Sequence, residues 1–138
     1  GEEADRLCLA PMIRHNTDNH QTAFLESIDF EDTTTGVSAF ERSMTAMAAV
    51  RTDIRPDQFR KPGHMFPLRA KKWGVLERPG HTEATVDLCR LAGLHPMGLC
   101  CEIMNEDGSM ARKDDLFRLA KEKGMKQHSG SHYLQEKT

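Results

Sequence analysis

The chain has 138 residues, 38% hydrophobic and 29% charged, a size and balance suited to one domain around a single modest core. With 19 basic against 21 acidic residues the formal net charge is −2, which speaks against a polybasic nucleic-acid surface or an electrostatic membrane anchor. No apolar run approaches the roughly 18–20 residues of a membrane span, and the opening Gly1-Glu2-Glu3-Ala4-Asp5-Arg6 lacks the basic and apolar regions of a secretory signal, so the expectation is a soluble, cytoplasmic protein.

The first predicted element is a short helix ending near Leu7 or Leu9, stopped by Pro11. Residues 22–30 read as a strand in which Ala23, Leu25 and Ser27 face opposite to Phe24, Glu26 and Ile28. A polar loop, Asp32-Thr33-Thr34-Thr35-Gly36, leads into a capping box with Ser38 at the N-cap and Glu41 three positions later. The helix it opens carries Phe40, Met44, Met47 and Val50 on one apolar stripe. After a polar connection bounded by Pro56 and Pro62, short strands are expected at 65–68 and 75–76. A second helix, roughly 83–92, is closed by Gly93. The apolar run 98–104, broken only by Glu102, reads as a buried strand, Asn105-Glu106-Asp107-Gly108 as a tight turn, and 114–123 as a last helix ending at Gly124. Strands alternating with helices predict a mixed α/β domain. Cys8, Cys89, Cys100 and Cys101 form no C-x-x-C pair and read as reduced, buried thiols, and their spacing does not suit zinc.

Three features point to chemistry. Arg78-Pro79-Gly80-His81-Thr82 sits where the chain enters a helix, where free N–H groups and the dipole favour an anion and Arg78 can add charged hydrogen bonds. The same residues also fit an ordinary capped helix with Thr82 as N-cap and His81 exposed. Glu102 within an apolar strand is either edge-exposed, ion-paired, or held for acid–base work, where desolvation would raise its pKa. His64 and His81 each close a Pro-Gly-His triplet and fit either metal ligation or plain loop positions. His15, His20, His95, His128 and His132 show no metal spacing and read as surface residues.

Taken in series, the motifs resemble one family. The stretches 61–70 (KPGHMFPLRA) and 74–84 (GVLERPGHTEA) look like the PGHxFPLRA and GGVLxRxGHTEA blocks of 3,4-dihydroxy-2-butanone 4-phosphate synthases. Thr34-Thr35-Gly36-Val37-Ser38-Ala39, with Arg42 following, looks like the family's TTGxSAxDR block. Cys101-Glu102-Ile103-Met104-Asn105 and Asp107-Gly108-Ser109-Met110-Ala111-Arg112 continue the match, which runs in order from about Glu3 to Gln127.

The resemblance implies a layered α-β-α sandwich with a mixed sheet, 1–138 forming a single, partial domain. It implies a riboflavin-pathway lyase that converts D-ribulose 5-phosphate into 3,4-dihydroxy-2-butanone 4-phosphate and formate, using Mg²⁺ (or Mn²⁺), in a homodimer. By the family pattern Arg78, Gly80 and Thr82, in one turn with Pro79 and His81, hold the substrate phosphate. His81 would also be a metal ligand, Glu102 an essential acid–base residue at the substrate, and His64 an essential residue offered across the dimer interface. Thr35 would help line the site, and His81 and Glu102 would approach one cavity. Family members open with an acidic loop of the type D-x-E-x-R-E-x-E-G-D that supplies a further metal ligand, and core strands lie beside it. No such loop occurs in these residues, so part of the sheet is expected to be missing and the chain alone to turn over poorly. The alternative is a truncated or degenerate non-catalytic homologue acting as a dimerisation or interaction module.

Overall fold

Helix α1 (Glu2–Arg6) carries Glu2, Glu3 and Asp5 in its first turn, at the positive end of its dipole, and Arg6 at its last residue. Its apolar side sinks into the core through Ala4, followed by Leu7 and Leu9, and Arg6 Nη2 donates to the Ala49 carbonyl at 2.7 Å. The computed structural model describes residues 1–127, so the expected surface residues His128 and His132 lie outside them. These residues divide into two compact units, 1–99 and 100–127.

In the first unit, β1 (Ile28–Phe30) pairs antiparallel with β2 (Phe59–Met65). Phe30 faces Phe59 and Asp29 faces Arg60, but Ile28 faces Met65, so residues 61–64 stand out of register as a bulge. Isolated bridges of Leu25 to Pro11 and of Phe24 to Leu68 carry the pairing further. The alternation expected over 22–30 holds at Phe24, Leu25 and Ser27 and breaks at the bulge, where Ile28 and Asp29 are both buried.

Helix α2 (Ala39–Val50) starts where the capping box placed it, with Ser38 Oγ accepting from the Glu41 N–H at 3.2 Å. Its packing face differs from the expected one. Thr45, Ala48 and Ala49 are buried, whereas Phe40 is 85% and Met47 64% exposed. The small residues let the helix lie close on the sheet, and Thr45 Oγ1 accepts from the Phe30 N–H at 3.0 Å. The core is Ala4, Leu7, Leu9, Leu25, Ile28, Ala48, Ala49, Ile54 and Phe59.

The strand expected at 75–76 is instead a single 3₁₀ turn, Gly74–Leu76, because the buried Asp87 carboxylate accepts the Val75 N–H at 3.0 Å and holds the turn. Helix α3 (His81–Leu91) begins two residues earlier than expected, with Gly80 rather than Thr82 at the N-cap, and Gly93 follows its C-cap as anticipated. His95 corrects the expectation of a surface residue: it is half-buried, with Nε2 3.1 Å from Glu3 Oε2, close enough for an ion pair.

In the second unit, residues 100–103 are exposed and form no strand, so the expected buried strand through Glu102 is overturned. Its apolar composition is that of a sheet interior, but a strand needs a hydrogen-bonded neighbour, and among the described residues this run has only the bridge of Met104 to Met110. That bridge closes the expected turn, with the Gly108 N–H donating to Asn105 O at 3.0 Å. Helix α4 (Lys113–Lys123) has basic residues in its last turn and ends on Gly124 in the left-handed conformation. Cys8, Cys100 and Cys101 are exposed free thiols and Cys89 is half-buried, against the expectation of buried cysteines, since three of them lie on turns or on the unpaired run. The α/β class stands, and the sheet of the described residues is two-stranded and antiparallel. No described helix is long and apolar enough to cross a membrane.

Candidate functional site

Arg78 reaches the start of α3 already oriented. Its Nη1 lies 2.6 Å from Glu83 Oε2, and its Nε and Nη2 donate to the His20 carbonyl at 3.2 and 3.1 Å. Glu83 is 1% exposed, and its other oxygen accepts the Lys71 N–H at 3.0 Å. A buried carboxylate with a charged partner and a backbone donor is satisfied, which is the condition for burying it at all. Glu83 and Asp87 occur one helical turn apart and clamp the preceding segment at Lys71 and Val75. The turn itself presents the Gly80 N-cap, an exposed His81 at the first helical position and a half-buried Thr82 at the second. Free N–H groups there suit an anion, and Arg78 stands beside them through its grip on Glu83. Pro79 is exposed.

The second group gathers on the sheet. His64 rides the bulge of β2, exposed, with Nδ1 2.7 Å from Asp29 Oδ2 and its backbone N–H donating to Asp29 Oδ1 at 2.8 Å. Asp29 is buried, and Gly36 packs directly against its carboxylate, which brings the Thr35 loop to the same place. Thr35 is exposed, and its Oγ1 donates to Glu41 Oε2 at 3.2 Å. Glu41 also takes the Thr34 hydroxyl at 2.7 Å and lies 3.3 Å from Ser38 Oγ. The hydroxyl and backbone N–H of Thr34, with help from Thr35 and Ser38, lower the Glu41 carboxyl to about 2. Arg42 Nε donates to the Val37 carbonyl at 3.0 Å and closes the loop.

Glu102 is exposed in the second unit, not held in an apolar strand. The sequence reading did not single out Asp29, Glu83 and Asp87 as partners. Asp29, between Ile28 and Phe30, and Asp87, between Val86 and Leu88, carry the signal that drew attention to Glu102, whereas Glu83, between Thr82 and Ala84, does not. Among the described residues no three His, Cys, Asp or Glu side chains cluster as metal donors. His81 by itself does not make a site for Mg²⁺, a hard ion that prefers oxygen.

The family model for 3,4-dihydroxy-2-butanone 4-phosphate synthase matches residues 1–135. The chain belongs to that family. A synthase of this name from Wolinella succinogenes is 53% identical over 123 residues, covering 89% of the chain and 35% of the relative. The riboflavin biosynthesis protein RibBA of Bacillus subtilis is 55% identical over 125 residues, covering 91% and 31%. The chain thus spans about a third of the length of these two relatives. A crystal structure of the Candida albicans synthase superposes with a TM-score of 0.92 at 39% identity, covering 99% of this chain and 68% of that one. A synthase in complex with two magnesium ions superposes at 0.84 with 37% identity, covering 94% and 66%.

Proposed function

We propose that the protein carrying these residues is a 3,4-dihydroxy-2-butanone 4-phosphate synthase, a lyase of riboflavin biosynthesis acting on D-ribulose 5-phosphate in a homodimer. The observation that carries the reading is the 78–82 turn. A guanidinium held by a buried carboxylate stands beside a helix N-terminus, which is an anion-binding arrangement, within a chain of this family. Arg78, with the turn of Pro79, Gly80, His81 and Thr82, receives the substrate phosphate. Thr35 lines the site beside His64, and the Asp29 link between their two segments supports this. His64 is a reacting residue, offered to the partner copy. Glu102 is an acid–base residue, and its exposure leaves it free to exchange protons.

The overall conversion removes one carbon of the five-carbon sugar phosphate as formate and leaves the four-carbon phosphate. It begins with loss of a proton beside the carbonyl, which needs a positioned base. Mg²⁺ (or Mn²⁺) would supply charge stabilisation of the enediolate. His81 would be one of its ligands, and no three His, Cys, Asp or Glu side chains among the described residues cluster to complete the set.

Formate release from D-ribulose 5-phosphate by the intact protein tests the reading. Arg78→Lys keeps the charge facing Glu83 but loses the planar fork. It and Thr82→Val should each raise KM, Arg78→Lys by about tenfold or more, the worth of one charged hydrogen bond. A protein that releases no formate, or variants with unchanged KM, would count against it. The two-fold dimer is checked by sedimentation, where a stable monomer at micromolar concentration would contradict it.

A further inference from the structure

We propose that Asp29 is a positioning residue for His64, holding the imidazole with its proton on Nδ1 and leaving Nε2 as the outward, proton-accepting edge. The inference deepens the functional reading and rests on His64 being a reacting residue.

One carboxylate grips one histidine twice. Oδ1 takes the backbone N–H at 2.8 Å, and Oδ2 lies 2.7 Å from ring Nδ1. An ionised carboxylate only accepts hydrogen bonds, so the ring must donate through Nδ1. Nε2 then keeps its lone pair, and it has no hydrogen bond among the described residues. The side chain of Asp29 is 8% exposed while that of His64 is 49% exposed, so the orienting contact is sheltered and the ring's far edge faces outward.

The surroundings are shaped for this contact. The register break between Ile28 and Asp29 throws residues 61–64 out of the ladder and carries His64 over the carboxylate. Gly63 makes that possible, because a Cβ there would overlap the backbone of Ile28 and Asp29, and its N–H donates to Ser27 Oγ at 3.1 Å. Gly36, at φ +76°, leaves room on the other side, where a Cβ would overlap the Asp29 carboxylate. Arg60 stands opposite Asp29 in the ladder, yet its guanidinium goes to the carbonyls of Phe30 and Thr33 and to the Thr33 hydroxyl. His64 is therefore the group that Asp29 serves.

The competing role is purely structural, with Asp29 pinning the bulge through the backbone N–H alone. Asp29→Asn separates the two. Its carbonyl can still accept the His64 N–H, but its NH₂ faces Nδ1 as a donor and moves the ring proton to Nε2. Ring ¹⁵N spectra of the intact protein, taken about two pH units above the titration midpoint of His64, should show Nδ1 protonated in the wild type and Nε2 protonated in Asp29→Asn. Formate release by Asp29→Asn should keep KM within about threefold and lose at least about a hundredfold in kcat, the scale of a mis-set acid–base group. Should Asp29→Asn not fold, Asp29→Glu retains the carboxylate one methylene out of place, and is expected to keep Nδ1 protonated with lowered kcat. Nδ1 unprotonated in the wild type overturns the proposal. So does a wild-type kcat in Asp29→Asn, or in Asp29→Glu if only that variant folds, alongside an inactive His64→Ala. An active His64→Ala removes instead the reading on which it rests, and the ring spectra, which need no turnover, tell the two failures apart.

Discussion

Glu102 was expected in the site and Glu83, which was not, holds the expected Arg78; the structure gives the two carboxylates opposite physical situations. Glu83 is 1% exposed and bound to Arg78 at 2.6 Å, so truncating it strips Arg78 of its counter-charge and leaves the Lys71 N–H without an acceptor. Breaking one side of a buried pair costs about 3–5 kcal/mol, and since Arg78 keeps some solvent contact the lower part of that range applies. Urea unfolding of Glu83→Ala should show that loss as a lower midpoint, and an unchanged midpoint would refute it. Glu102 is exposed, so Glu102→Gln should leave unfolding within about 0.5 kcal/mol of wild type. If Glu102 is the acid–base residue, the same variant should lose about 10²–10⁴-fold in kcat, which formate release measures. Equal effects on stability in the two variants would show that burial has been misread.

At the scale of elements, the start of α2 and the Thr35 loop form one acid-sensitive device. Glu41 closes the loop through Thr34, Thr35 and Ser38, and those bonds hold its carboxyl at about 2 rather than the ordinary 4.5. A carboxyl depressed on folding contributes stability that is fully present above its unfolded value and disappears as pH falls through the folded one. The contribution should therefore fade between about pH 4.5 and 2. Amide NMR of Thr34 and Thr35 should follow that window in the wild type and lose it in Glu41→Gln; shifts centred near neutral pH would contradict the assignment. Elements with local chemical signatures were legible in the sequence: Ser38 with Glu41 marked the start of α2, and Gly93 and Gly124 marked helix ends. Those decided by partners distant in the chain were not. Phe40 and Met47 suggested a buried stripe, but close packing on a narrow sheet selected Thr45, Ala48 and Ala49. Residues 98–104 had the composition of a strand, which becomes one only with a neighbour to bond. Of the site, the 78–82 turn was readable because an arginine and a glycine precede a helix, whereas the pairing of Asp29 with His64 depends on a register break 35 residues apart in sequence.

For the whole molecule, family membership is shown by a match over residues 1–135 and by superposition on synthase structures at TM-scores of 0.92 and 0.84. The central claim is that Arg78 and His64 serve the conversion of D-ribulose 5-phosphate to a four-carbon phosphate and formate. Carbon-13 NMR of the reaction of uniformly labelled D-ribulose 5-phosphate with the intact protein tests it most directly, since it follows every carbon of substrate and products. The account predicts formate and the four-carbon phosphate appearing in equal amounts with wild-type protein, and neither accumulating with His64→Ala. Unchanged substrate with the wild type, or the same products at the same rate from His64→Ala, would contradict it.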